Sequence, residues 1–152
     1  MFKDKNRSAM KIFNKNFNDP NLTKEIDTLV GLPFSFRERI KRGGIGSTKL
    51  LVREMSENLQ PYFDKSVNLT YVSIEQRPLG IIVYMKGNVN DYCWAIPFYQ
   101  LSIFQSDYFS VHAQGAFLKI DLKSVYPQNG KFIERVLSAK ASYSSAVSAI
   151  NE

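Results

Sequence analysis

Cysteine is almost missing from this chain, with Cys93 the only one in 152 residues. That excludes an intramolecular disulfide and any metal site built on several thiolates. Histidine is as scarce, His112 standing alone, and the carboxylates Glu54, Glu57, Asp64, Glu75, Asp91, Asp107 and Asp121 are scattered. No metal site and no cofactor are expected. No apolar run approaches the roughly 18 residues of a membrane span. No signal-peptide core follows the polar start Met1-Phe2-Lys3-Asp4-Lys5-Asn6, so the expectation is a cytoplasmic protein. A dinucleotide-binding glycine fingerprint, internal repeats and low-complexity segments are also lacking.

What is present suits one soluble domain: 44% hydrophobic and 22% charged residues in a chain long enough to bury a core. The charge is uneven, +7 in residues 1–53 and −1 in residues 54–152. The division expected is a basic helical region, 1–47, packed on an α+β core, 48–152, within a single domain.

The core is read from alternation. Ile81, Val83 and Met85 alternate with Ile82, Tyr84 and Lys86, and Tyr92, Trp94, Ile96 and Phe98 with Cys93, Ala95 and Pro97. Such period-two runs of aromatic and β-branched residues predict half-buried strands. A four-residue turn, Gly87 to Asn90, places Met85 opposite Tyr92, Val83 opposite Trp94 and Ile81 opposite Ile96, so the large apolar side chains share a face. Gln114-Gly115 as a two-residue turn opposes Ala113 to Ala116, Val111 to Leu118 and Phe109 to Ile120. A three-residue loop, Ser106 to Tyr108, opposes Ile103 to Val111. A parity break at Pro97 to Gln100 predicts a bend. With Val67 to Ile74 this makes a bent antiparallel meander of about six strands. It is closed by a C-terminal helix from about Lys131, where Phe132, Ile133, Val136, Leu137, Tyr143 and Val147 recur at helical spacing.

Ile96-Pro97-Phe98-Tyr99-Gln100-Leu101-Ser102-Ile103, the turn after it, Phe109 to Ala113, Gly115 and Phe117 to Ile120 together resemble bacterial PH-like and GRAM-type domains. The resemblance covers roughly Val67 to Ala149. It implies a split β-barrel of seven strands capped by a helix, and a binding role toward proteins, lipids or other ligands. An open sheet packed by a helix is the alternative.

Four helices are predicted ahead of the sheet. Lys5 to Phe17 has Met10, Phe13 and Phe17 on one face among Arg7, Lys11 and Lys15. It reads as a docked helix or as an arm for an acidic membrane or nucleic acid. Asp19-Pro20 opens a second helix that Gly31 and Pro33 end. Ser35-Phe36-Arg37-Glu38 is a capping box for a short third helix that stops at Gly43. Thr48 to Gln60, with Leu51, Val52, Met55 and Leu59 on a stripe, reads as a further helix. The intervening Gly43-Gly44-Ile45-Gly46-Ser47-Thr48-Lys49 has the wrong residue order for a Walker loop. It is expected to be a solvated hinge, with an anion site at the following helix N-terminus as the alternative.

Cys93 and His112, each the only residue of its kind, are the candidate nucleophile and base, both facing away from the apolar side. With the Leu101–Gln105 strand between theirs they would stand about 9–10 Å apart, so no catalytic pair is expected. Phe104, Tyr108, His112, Phe117 and Lys119 are expected to share the outer sheet face. Such a patch suits a protein partner, one of the N-terminal helices, a second subunit or, with its lysine, RNA. Arg37, Arg39, Lys41, Arg42, Lys49 and Arg53 form the candidate anion-contacting set. The function expected is a non-enzymatic interaction module with a protein partner. The alternative is a nucleic-acid-associated protein using residues 37–53, with weak binding. Peripheral contact with an acidic membrane and homo-oligomerisation remain open.

Overall fold

The structure is a computed structural model and describes residues 9–16 and 18–151. Among these, eight strands form one open antiparallel sheet: β1 (Ile12–Asn14), β2 (Leu50–Met55), β3 (Thr70–Arg77), β4 (Gly80–Lys86), β5 (Asp91–Pro97), β6 (Ser102–Gln105), β7 (Tyr108–Ala113) and β8 (Ala116–Asp121). Their order is β1-β5-β4-β3-β2-β8-β7-β6. The helices are α1 (Pro20–Val30), α2 (Phe36–Lys41), α3 (Leu122–Val125) and α4 (Gly130–Asn151). The architecture is α+β, as the alternation predicts, but with eight strands instead of six.

The hairpin registers match the patterning. Val83 lies opposite Trp94, Met85 opposite Tyr92 and Ile81 opposite Ile96. Val111 lies opposite Leu118, and Ile103 opposite Val111. At the β7–β8 turn both Gln114 (φ 52) and Gly115 (φ 78) adopt left-handed backbone, the geometry that matches a hairpin's twist. The chain bends at Pro97 through a 3-10 turn, Phe98–Gln100. There β5 and β6 part without pairing, so the sheet is two meanders, not one.

The strand that joins them was expected to be a helix. Thr48 to Gln60 instead supplies β2 and a 3-10 helix, Glu57–Tyr62. Both periods fit its apolar residues, and pairing on both sides decides between them. Val52 lies opposite Thr70 of β3 and Ile120 of β8. A bulge at Arg53 then shifts the register so that Glu54 meets Lys119 and Met55 meets Leu118. Inside Lys5 to Phe17, likewise, Ile12–Asn14 pairs with Trp94, Cys93 and Tyr92. Lys5 to Ser8 and Phe17 lie outside the described residues.

One core joins both meanders and α4. Leu50, Val83, Trp94, Ile96, Val111, Leu118 and Ile120 pack with Phe132, Ile133 and Val136. Fully burying each such side chain contributes about 2 kcal/mol. Tyr143 extends the contact of α4 to Phe98, ring centroids 5.9 Å apart.

A second, smaller core lies on the other side of the sheet. There Val30 of α1 packs with Phe13, Ile82, Cys93 and Ala95, and Leu22, Ile26 and Leu29 cover the rest. This is why Ile82 and Cys93, on the nominally outward register, are buried. Asp19 caps α1 by accepting from the Asn21 amide. Gly80 permits the close approach at its far end, since a Cβ there would meet Ile96 O at 2.3 Å and Val30 Cγ1 at 2.9 Å. The capping box of α2 forms as expected. Its apolar residues do not dock, however: Phe36 and Ile40 are exposed, as is Leu32, whereas Phe34 is buried.

The Gly43–Lys49 segment is pinned to the core. Arg135 Nη2 donates to the carbonyls of Gly43 and Gly44. Asn129 accepts from the Thr48 amide at 2.9 Å and donates to Thr48 Oγ1 at 2.8 Å. This replaces the hinge expected from its glycines. The alternative anion site is overturned as well, since a strand and not a helix follows.

At the mouth between the meanders sits Gln114. Its Oε1 accepts from Trp94 Nε1 at 2.9 Å and the Lys11 amide at 2.7 Å. Its Nε2 donates to Ala95 O and Gln100 Oε1. Replacing Gln114 by Ala leaves these groups without a partner and should cost about 2–4 kcal/mol in urea unfolding. Because φ is positive there, Gln114→Gly should lose about 1 kcal/mol less than Gln114→Ala. Equal stability of all three proteins would contradict this role.

Candidate functional site

The outward face of β6, β7 and β8 is built by register alone. Ser102 opposes His112 and Phe104 opposes Ser110. His112 opposes Phe117, and Ser110 opposes Lys119. Directly opposed side chains share a face, and the two serines leave room for the rings beside them. Phe104 meets His112 edge-on at 5.2 Å, and His112 stacks on Phe117 at 5.7 Å. Lys119 Nζ lies 5.8 Å from the Phe117 ring and 5.9 Å from that of Tyr108, and 3.3 Å from Glu54 Oε2. The five residues read from the sequence as an outer patch therefore stand together. Phe104 is 61% exposed, and β6, on which it sits, is a sheet edge.

The basic set is not brought together in this way. Arg37, Arg39 and Lys41 belong to α2, with Arg42 at its C-cap. Lys49 precedes β2 and lies 6.0 Å from the Tyr71 ring. Arg53 pairs with Asp121 at 3.2 Å.

A basin of about 450 Å³, which sequence reasoning missed, opens over β3, β4 and β5. Its lining includes Lys15, Lys49, Lys86, Tyr71, Tyr84 and Ser73. Ser73 opposes Tyr84 across the β3–β4 ladder, so a small side chain beside large ones leaves the depression. Lys15 Nζ stands 4.5 Å from the Tyr84 ring. Asp64 and Asp91 also line it, and Asp91 faces Lys86 across β4–β5. The Ser66 hydroxyl and amide hydrogen-bond Asp64, holding its carboxyl below the usual value. The signal was hidden because Lys15 and Lys49 come from segments read as helices.

Beside the basin Arg77 joins β3 to α1. Its guanidinium pairs with Asp27 of α1 at 3.0 Å and with Glu75, and donates to Gly31 O at 2.8 Å. Burial alone would lower its pKa, but the hydrogen bonds to Glu75 and Asp27 outweigh it and the net shift is upward. The Tyr84 hydroxyl donates to Glu75 at 2.9 Å. Burial, then the Glu75 charge, raise the pKa of that phenol. This constellation fixes α1 to the sheet, with the arginine buried.

Cys93 and His112 are not on neighbouring strands. One is on β5 and the other on β7, with β4, β3, β2 and β8 between them. The strand expected between theirs, Leu101–Gln105, is instead at the opposite edge. Cys93 is buried beneath α1, and burial raises its thiol pKa. Among the described residues no three His, Cys, Asp or Glu side chains converge as metal ligands, and no helix is long and apolar enough to cross a membrane.

No protein-family model, no curated protein and no solved structure matches this chain.

Both raised acids predict alkaline sensitivity. A group whose folded pKa is raised holds its proton more tightly folded than unfolded, so stability is full below the unfolded pKa and falls above it. Urea stability should therefore decline as pH passes 9.0, the ordinary thiol value, and again past 10.0, that of the phenol. In Cys93→Ala the first decline should disappear and the second remain. A flat profile from pH 8 to 11 would contradict the burial of both groups.

Proposed function

We propose that this chain is a non-catalytic interaction module on a PH-like scaffold, whose protein partner covers Phe104, His112 and Phe117. The observation that carries the reading is this row of rings in contact, Phe104 exposed at the sheet edge and His112 and Phe117 half-buried beside it. Aromatic side chains that stay exposed on a folded sheet lose hydrophobic stabilisation that a partner could supply. The edge adds a second source of affinity, because among the described residues the outer backbone groups of β6 have no neighbouring strand. An extended peptide laid along Ser102–Gln105 would gain ladder hydrogen bonds and contact with Phe104 together.

The scaffold assignment is supported by the strand order. Leaving out β1, the order β5-β4-β3-β2-β8-β7-β6 comprises a four-strand and a three-strand meander, followed by a closing helix. Seven strands and a helix are what the resemblance implies. The non-catalytic reading is supported by the placement of the two reactive side chains, a thiol buried beneath α1 and an imidazole held between the Phe104 and Phe117 rings. Nucleic-acid binding through residues 37–53 is the weaker alternative, because Lys49 and Arg53 lie on other elements than the α2 cations and Arg53 is already paired.

The test is selection of peptides from a random displayed library on the purified protein, with amide shifts followed by NMR. Selected peptides should be extended and rich in apolar residues, and should shift Ser102–Gln105 and His112. Phe104→Ala with His112→Ala should weaken them about tenfold or more. Peptides that bind unchanged by these substitutions, or shift only other strands, would overturn the proposal.

A further inference from the structure

We propose that α2 is a docking element for an anionic lipid bilayer surface. It lies outside the sheet and closing helix that carry the PH-like reading, and does not depend on that reading.

The helix buries none of its residues. Phe36 is 77% exposed, Ile40 66%, and Leu32 in the extended segment just before it 69%. Phe36 and Ile40 are four residues apart, so they form one stripe along the helix. With about 100° of rotation per residue, Arg37 flanks that stripe on one side and Arg39 on the other. Glu38, the only acid of the helix, points the opposite way and is occupied in the capping box with Ser35.

The element is also firmly mounted. Arg39 Nε donates to Phe34 O at 3.2 Å, and the Arg42 guanidinium covers the Phe34 ring at 4.2 Å. Phe34 itself is buried. After the helix, Arg135 holds the carbonyls of Gly43 and Gly44. Two large apolar side chains are thus presented to water on a fixed support.

Charge and length select the occupant. An apolar stripe between cations is complementary to the boundary where acyl chains meet anionic headgroups. A protein groove that takes a helix reads anchors over more than two turns, and six residues supply fewer than two. A nucleic acid would use the cations but leave Phe36 and Ile40 in water. Since α2 has no buried residue, its surface can be altered without touching the core.

The experiment is co-sedimentation of the full chain with phosphatidylcholine vesicles, with or without phosphatidylglycerol, at low and at physiological salt. The variants are Phe36→Ser with Ile40→Ser, and Arg37→Gln with Lys41→Gln. Thermal unfolding should match wild type in both. Wild type should sediment with the anionic vesicles only. The apolar pair should bind about tenfold more weakly, and the charge pair about thirtyfold. Three results would overturn the proposal: equal binding to neutral vesicles, anionic binding unaffected by loss of Phe36 and Ile40, or a wild-type dimer that the apolar variant converts to monomer. The last would assign the stripe to a second copy of this chain.

Discussion

The side-chain amide of Gln114 closes what the sheet leaves open. Strands β5 and β6 part at Pro97, and among the described residues no backbone ladder crosses the gap. One buried amide there uses both its atoms to bind the Trp94 indole, the Lys11 amide, Ala95 O and Gln100. A buried polar group is tolerable only when satisfied, and Gln114 and its partners satisfy one another. Trp94 can therefore sit fully inside with its N–H paired. The first meander, the bend, β1 and the β7–β8 turn all depend on one side chain. Its own left-handed backbone is the strain accepted for placing it there.

How the outer side of the sheet is shared follows from where α1 sits. Arg77 ties α1 to β3 through Asp27, and Val30 packs over Gly80, so the β4–β5 half is roofed and apolar underneath. Nothing roofs β6, β7 and β8 among the described residues, and their outward side chains are serines, rings and a lysine. The same sheet therefore carries a second core at one end and a solvent-facing aromatic row at the other. The basin of Lys15, Lys49 and Tyr84 lies where α1 stops covering.

The hairpins were legible in the sequence because their pairing is local. Turn length and alternation fix the register of Val83 with Trp94 and of Val111 with Leu118, and the outer patch of Phe104, His112 and Phe117 follows from parity. Strands β1 and β2 were not legible, because their partners lie far along the chain. Val52 has Thr70 on one side and Ile120 on the other, and nothing near Val52 in the sequence records either. An apolar stripe of Leu51, Val52, Met55 and Leu59 fits a helix as well as a bulged strand followed by a 3-10 turn. In α2 nothing in the sequence separates Phe36 and Ile40 from core residues, and only the three-dimensional packing leaves them in water. The basin escaped for the same reason as the strands that frame it.

The double pairing of β2 has a consequence for how the chain reaches this structure. Each meander can zip together from neighbouring hairpins, whose closure entropy is small. The ladder between β2 and β8 joins Val52 to Ile120, far apart in the chain, and must wait for both, since long-range pairing is intrinsically slow. Until β2 is in place, β3 and β8 each present a naked edge of buried-type residues. Those edges could recruit strands from a neighbouring chain as readily as their own. The strand that unifies the native sheet is thus also the step at which newly made copies are most vulnerable to one another.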